Sequence, residues 1–220
     1  MSEVFGPTVQ GEGPSLGQRA GFVRLGRCHL ACQWCDTPYT WDWDRFDRRV
    51  ELTRRTTEDV VAEVAAMHVD LAVITGGEPL LQQPALEVLV DALRQRGMRV
   101  EVETSGTVAP RFDVDQWNVS PKLAHSGMDI ERRYLPAVLR GFQDGGHAVF
   151  KFVVTSAGDL DEIAGIVDEC GLANVWVMPE GTTAETLNQR LAWLAPSAID
   201  RGWNVTTRMH ILVWGDRRGV

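Results

Sequence analysis

Three cysteines, Cys28, Cys32 and Cys35, stand in the stretch Gly26-Arg27-Cys28-His29-Leu30-Ala31-Cys32-Gln33-Trp34-Cys35-Asp36-Thr37. The spacing C-x3-C-x2-C, with an aromatic before the last thiol, offers three thiolates to a metal centre and leaves its fourth position to another group. Centres held by four protein ligands are saturated and suit structure or electron transfer. A three-thiolate centre keeps one position open for a substrate or cofactor, so the triplet reads as an iron-sulfur cluster ([4Fe-4S]) with one free iron. A structural Zn2+ with His29 or His125 as fourth ligand is the competing reading. Gly76-Gly77-Glu78-Pro79, after a second apolar run, favours the cluster. Glycines at a strand end let a ligand approach the backbone, and Glu78 can accept hydrogen bonds from an ammonium or hydroxyl. A structural zinc site has no use for either.

These residues need a scaffold. The chain has 220 residues, 44% of them hydrophobic, enough for one domain spanning 1–220 with a sizeable core. A net charge of -8 is the wrong sign for wrapping phosphates, so no nucleic acid is expected as a partner. No apolar run reaches the roughly 18 residues of a membrane span, and Met1-Ser2-Glu3-Val4-Phe5 lacks the regions of a signal peptide. The expectation is a cytoplasmic protein with reduced thiols. Cys170 lies in an apolar stripe with Ile163, Ile166 and Val167 and reads as core.

Strand-like and helix-like segments alternate after the cysteine loop. Strands are predicted at Ala20–Leu25, Leu71–Thr75, Arg99–Thr104, Trp117–Ser120, Ala148–Val154, Asn174–Met178 and Asn204–Leu212. Helices are predicted at Thr56–Met67, with Thr56 and Asp59 as a capping box, at Pro84–Arg96, closed by Gly97, and at 131–142, 159–170 and 183–194. The last would start from Thr182 and Glu185. About seven strands separated by helix-sized intervals imply right-handed crossovers and a mostly parallel α/β sheet. A complete eightfold barrel takes about 250 residues, so a shortened, incomplete, partial TIM-like barrel is expected, with an open doubly wound sheet as the alternative. Either places function at the C-terminal strand ends. Pro38–Arg55, with Trp41, Trp43 and five arginines, is the least regular stretch: a solvated excursion, or a lid or dimer contact near the cluster.

The cysteine motif after one strand and Gly-Gly-Glu-Pro after the next resemble the radical S-adenosylmethionine superfamily. The resemblance implies that the amine and carboxylate of S-adenosyl-L-methionine chelate the open iron. One electron would then break the sulfonium C–S bond, giving a 5'-deoxyadenosyl radical that abstracts hydrogen. It places Gly77 and Glu78 near that cofactor and Trp34 beside its adenine. Nearly the whole chain is further similar to the 7-carboxy-7-deazaguanine synthase family. Phe5-Gly-Pro-Thr-Val-Gln-Gly-Glu-Gly13 resembles its N-terminal signature, and Glu103-Thr-Ser105-Gly, Ser120-Pro121-Lys122, Lys151-Phe-Val and Met178-Pro179-Glu180-Gly181 resemble its cofactor-side motifs.

By that likeness the reaction is the ring contraction of 6-carboxy-5,6,7,8-tetrahydropterin with loss of ammonia. Val9, Gln10, Gly11, Glu12, Arg24, Thr75, His210 and Val220 would bind the pterin, and Thr37 would be a Mg2+ ligand. The enzyme would be a homodimer reduced by a flavodoxin- or ferredoxin-type donor. An activator of a glycyl-radical protein would share the cysteines and Gly-Gly-Glu-Pro. On their own the residues also allow plainer roles: Arg24 paired with an acid, Gln10 and Glu12 in a solvated turn, Thr37 as a cap, Lys122 and Lys151 as surface charges.

Overall fold

The computed structural model describes residues 1–220. Eight strands form one sheet in strict chain order: β1 Glu3–Val9, β2 Arg19–Leu25, β3 Leu71–Gly76, β4 Arg99–Thr104, β5 Gln116–Val119, β6 Ala148–Val154, β7 Val175–Pro179 and β8 Asn204–Val205. β1 pairs antiparallel with β2, and every later neighbour pairs parallel. A doubly wound sheet reverses its strand order at a switch point. This order never reverses, so the chain winds one way, as in a barrel left open between β1 and β8.

The helices are α1 Arg48–Glu51, α2 Thr57–Ala66, α3 Gln83–Gln95, α4 Ile130–Arg133, α5 Pro136–Asp144, α6 Gly158–Cys170, α7 Ala184–Ile199 and α8 Met209–Trp214. Side chains alternate across each strand. Val23 and Leu25 of β2, Ala72 and Ile74 of β3, Val100 and Val102 of β4, and Phe150, Phe152 and Val154 of β6 join a core cluster of 34 buried residues that includes helix residues such as Val60, Leu89 and Ile163. Their alternates form a small apolar cluster of Ala20, Phe22, Leu71 and Val73 near the strand starts, and carry Arg24, Thr75, Glu101, Glu103, Asn118 and Lys151 as polar groups. Thr56 caps α2 by accepting from the Asp59 amide at 3.2 Å, and Gly171, at φ 63°, ends α6.

Four expectations are corrected. β1 went unseen because Gly6, Pro7 and a bulge between Phe5 and Thr8 interrupt it, which an edge strand tolerates. The span 131–142 is broken into α4 and α5, because Pro136 bars a helical conformation at Leu135 and suits the first turn of a new helix. The cap of α7 is Thr183, accepting from the Thr186 amide, rather than Thr182, and the helix runs on to Ile199. The predicted strand Asn204–Leu212 holds only for Asn204–Val205. The chain then turns inward, where Thr206 Oγ1 accepts from the Gly13 amide at 2.9 Å, and continues as α8. A six-residue apolar run reads alike as strand or helix.

Candidate active site

The loop after β2 carries all three cysteines to the C-terminal ends of the strands. Cys28, Cys32 and Cys35 line one cavity of ≈ 570 Å³. The loop is tied down by Arg27 N–H donating to Thr40 O at 2.7 Å and Gln33 N–H donating to Ser126 O at 3.0 Å. The end of β3 presses against it, with Gly77 N–H on Leu25 O at 3.1 Å and Glu78 N–H on Arg27 O at 2.8 Å. A Cβ on Gly77 would stand 2.1 Å from Arg27 O, and one on Gly76, at φ 138°, 2.0 Å from Leu25 O. The two glycines therefore serve a backbone-to-backbone approach, a closer constraint than the ligand contact expected of them.

The donor set suits a cluster. Burial pushes the Cys28 thiol up to about 12 and raises Cys32 as well, so their thiolates need the positive charge of a bound metal. Cys28 also feels the charges of Cys32 and Cys35. No three His, Cys, Asp or Glu side chains converge as a single ion would require; the thiols instead border a larger space. Each of the two alternative zinc ligands already engages one ring nitrogen: His29 Nε2 meets Thr107 Oγ1 at 2.8 Å, and His125 Nε2 meets Val153 O at 3.1 Å, while both Nδ1 atoms are buried without a partner. Trp34 lines the cavity with its indole Nε1 buried and unpartnered, a donor left for a ligand. Lys122 Nζ sits 5.5 Å from its ring centroid while donating to Ser120 O and Oγ.

The same cavity holds a charged network. Glu103 accepts from Gln10 Nε2 at 3.2 Å and from Thr75 Oγ1 at 2.7 Å. Glu12 accepts from Lys151 Nζ through one oxygen and from Arg208 Nε, at 3.2 Å, through the other. Arg208 further donates to Gly181 O at 2.8 Å and to Asp36 Oδ2. Burial raises the Glu12 carboxyl, but Lys151, Arg208 and His210 outweigh it and hold it well below the usual carboxylate range. Lys151, penalised by burial, is lifted above its ordinary value by Glu12 and Glu103. Arg24 pairs with Glu3 at 2.8 Å, and Arg218 from the C-terminal tail holds the other Glu3 oxygen at 3.2 Å and Glu51 at 2.7 Å.

Residues 23–130 match the radical SAM superfamily model. The 7-carboxy-7-deazaguanine synthase of Pyrobaculum aerophilum is 39% identical over 99% of this chain and 95% of its own length. The chain belongs to the 7-carboxy-7-deazaguanine synthase family. A second relative, from Rhodopirellula baltica, is 38% identical over 100% of the chain and 88% of its own. The crystal structure of QueE from Escherichia coli aligns with a TM-score of 0.72 at 27% identity, covering 95% of this chain and 93% of that one.

Against the residues that family resemblance singled out, the cavity gathers Val9, Gln10, Gly11, Glu12, Arg24, Thr75, His210 and Val220, with Trp34, Thr37, Gly77, Glu103, Ser105, Ser120, Lys122, Met178 and Glu180. Pro121, Pro179 and Gly181 do not line it. Gly181 acts through its carbonyl, which Arg208 holds. Glu78 does not line the cavity either: it is fully buried and accepts from Leu80 N, Thr104 Oγ1, Ser105 N and Ser105 Oγ, which ties the end of β3 to β4. Gln10 is likewise locked, its amide oxygen accepting from Glu12 N–H. Glu103, expected on the cofactor side, is bonded to Gln10 and Thr75.

Sequence reasoning missed Arg208, Asp36 and Asn118 as parts of the site. The tail was expected as a strand; α8 brings His210 against Gly11, where an added Cβ would lie 2.2 Å from His210 Nδ1.

Proposed function

We propose that this family member, a radical SAM lyase, contracts the ring of 6-carboxy-5,6,7,8-tetrahydropterin to 7-carboxy-7-deazaguanine in this one cavity. The observation that carries the reading is that one cavity gathers two sets of groups: three thiols with Trp34 and Gly77, and the bonded polar set Gln10, Glu12, Thr75, Glu103 and Lys151. When bound, the cluster and S-adenosyl-L-methionine supply a one-electron cleavage whose carbon radical takes and returns a hydrogen atom.

The chain's own residues do the rest. Cys28, Cys32 and Cys35 are read as the cluster ligands, and Trp34, Ser105, Ser120 and Lys122 as the surround of the adenosyl part. Glu103, a carboxylate with lone pairs beyond the two bonds it accepts, suits the donor edge of a pterin. Arg24 keeps guanidinium donors beyond the one that Glu3 takes and suits the substrate carboxylate. Thr37, in hydrogen-bond range of Cys35 Sγ at 3.7 Å, offers one hydroxyl to a Mg2+ that takes its remaining ligands from substrate and water. His210, which burial holds neutral, closes the pocket beside Gly11.

We read residues 1–220 as one radical SAM domain, supported by a single sheet and one main core. A homodimer reduced by a flavodoxin or ferredoxin follows the family likeness. A cytoplasmic setting fits four free cysteines, and no helix is long and apolar enough to cross a membrane. The test is anaerobic reconstitution followed by incubation with S-adenosyl-L-methionine, reductant, Mg2+ and the carboxytetrahydropterin. A deazaguanine product of the expected mass supports the reading; a reconstituted enzyme that cleaves S-adenosyl-L-methionine yet leaves the pterin intact refutes the substrate.

A further inference from the structure

The chain is acidic, with net charge -8, yet one face is the reverse. An open depression of ≈ 900 Å³ is bordered by Arg27, Arg45, Arg48, Arg49 and Arg54 against only Asp44 and Asp47. Of these five arginines only Arg45 has an ion-pair partner, Asp42 at 2.5 Å; the other four guanidinium groups are unneutralised by any carboxylate. Trp43 and Phe46 sit among them, and Val50 of α1 is 76% exposed beside them. Aromatic and apolar groups ringed by arginine, with no lysine, are what protein interfaces enrich.

The position of this face is specific. Gly26 and Arg27 form part of the depression, and the next residue is Cys28, about 3.8 Å further along the chain by Cα spacing. Phe46 borders both this depression and the active-site cavity. The face therefore adjoins the start of the cysteine loop, on its Arg27 side.

We propose that this arginine face docks an acidic one-electron donor protein whose flavin or iron-sulfur centre reduces the cluster through the Arg27–Cys28 segment. The proposal rests on the radical SAM reading above and gives its reductant a place. The docked donor gives one electron to the cluster and leaves oxidised by one; no bond in the protein is made or broken at this face. A second copy of the chain does not suit the same patch, because a two-fold interface would set arginines against arginines. An acidic donor meets them with opposite charge, which raises encounter rates and makes them salt-dependent.

The experiment compares the reconstituted holoenzyme with its Arg48→Glu, Arg49→Glu, Arg54→Glu variant. These are exposed side chains outside the active-site cavity. Affinity for oxidised flavodoxin and for a two-iron ferredoxin is measured by calorimetry at low and high salt, and cluster bleaching by the reduced donors in a stopped-flow. The expected result is an affinity and a bleaching rate lowered about tenfold or more at low salt, with the salt dependence flattened and dithionite-driven turnover unchanged. The milder Arg48→Gln, Arg49→Gln pair should give a graded loss. Unaltered donor affinity in the variant, no donor binding to the unsubstituted enzyme, or an equal fall in dithionite-driven turnover overturns the proposal. So does nucleic-acid binding at this face with donor affinity untouched. Failure of the unsubstituted enzyme to make the deazaguanine with dithionite would instead strike the proposed function, since the calorimetry needs no turnover.

Discussion

Arg208→Met removes the one side chain that joins three segments of the candidate site. Its guanidinium, with 7% side-chain exposure, donates to Glu12, to Gly181 O at 2.8 Å and to Asp36. Each loss has its own size. The Gly181 carbonyl is buried, and an unsatisfied group of that kind costs about 1–3 kcal/mol. Glu12 keeps Lys151, so it loses one charge-assisted bond of roughly 1.5–3 kcal/mol rather than becoming an unpaired buried charge. Asp36 is 41% exposed, and water recovers most of a pair worth about 0–1 kcal/mol. With partial relaxation the loss is about 3 kcal/mol, a large share of the roughly 5–15 kcal/mol of a typical domain.

Urea unfolding of the cluster-free protein should show this loss. Because Arg208 positions Glu12 and Asp36, the reconstituted variant should also need more pterin and more Mg2+ for half-maximal rate, with kcat less affected. Arg208→Lys keeps the charge but cannot fork to three acceptors, and it should recover only part of both effects. Stability within about 0.5 kcal/mol of the parent, the range of an ordinary surface change, together with unchanged half-saturation for both ligands, would refute the reasoning.

Four further outcomes follow from the same geometry. Gly77→Ala places a Cβ 2.1 Å from Arg27 O, so it should destabilise by about 1–3 kcal/mol or more and lower iron content after reconstitution, read by unfolding and metal analysis. Thr37→Ala should raise the Mg2+ concentration for half-maximal rate while leaving the visible cluster spectrum intact. Deleting 215–220 removes Arg218 from Glu3 and Glu51 and Val220 from the cavity, and should raise the pterin KM. For pH, the depressed Glu12 carboxyl contributes stability that is complete above its unfolded value near 4.3 and fades as pH falls below it. The raised Lys151 contributes stability that is complete below its unfolded value near 10.4 and fades as pH rises through the folded one. The buried Cys28 and Cys32 thiols, raised by burial, cost stability once pH exceeds their unfolded value near 8.5, and His210, lowered by burial, costs it below its unfolded value near 6.5. Urea midpoints of the cluster-free protein should therefore peak between about pH 6.5 and 8.5 and fall outside, and Glu12→Gln should lower the maximum and blunt the acid limb below about pH 4.3.

What the sequence made legible was what lies close along it. The thiol spacing within eight positions, the strand-ending glycines and the α2 cap are local patterns, and each survives in the structure. The charged network is not local: Glu12 meets Lys151 139 positions away and Arg208 196 away, and Asp36 meets Arg208 across 172. No window of sequence contains such a pair. The bonds of Glu78 are as hidden: a carboxylate after a strand shows no partner in one dimension, whereas Thr104 and Ser105 across the sheet donate to it.

One signal for the missed residues did exist in the strands themselves. A parallel strand covered on both faces reads as a continuous apolar run, yet β4 alternates Val100, Val102 with Glu101, Glu103, β5 sets Asn118 between Trp117 and Val119, and β6 sets Lys151 between Phe150 and Phe152. Buried polar groups must find partners. Three neighbouring strands that each place at least one on the same face imply an inner surface built as a site, with partners owed from elsewhere in the chain. Glu12 answers Lys151, Ser15 and Asn118 answer Glu101, and Gln10 and Thr75 answer Glu103. The alternation thus foretells that partners must exist; only the fold, by bringing the loops after β1 and β8 together over the open edge, decides which residues they are.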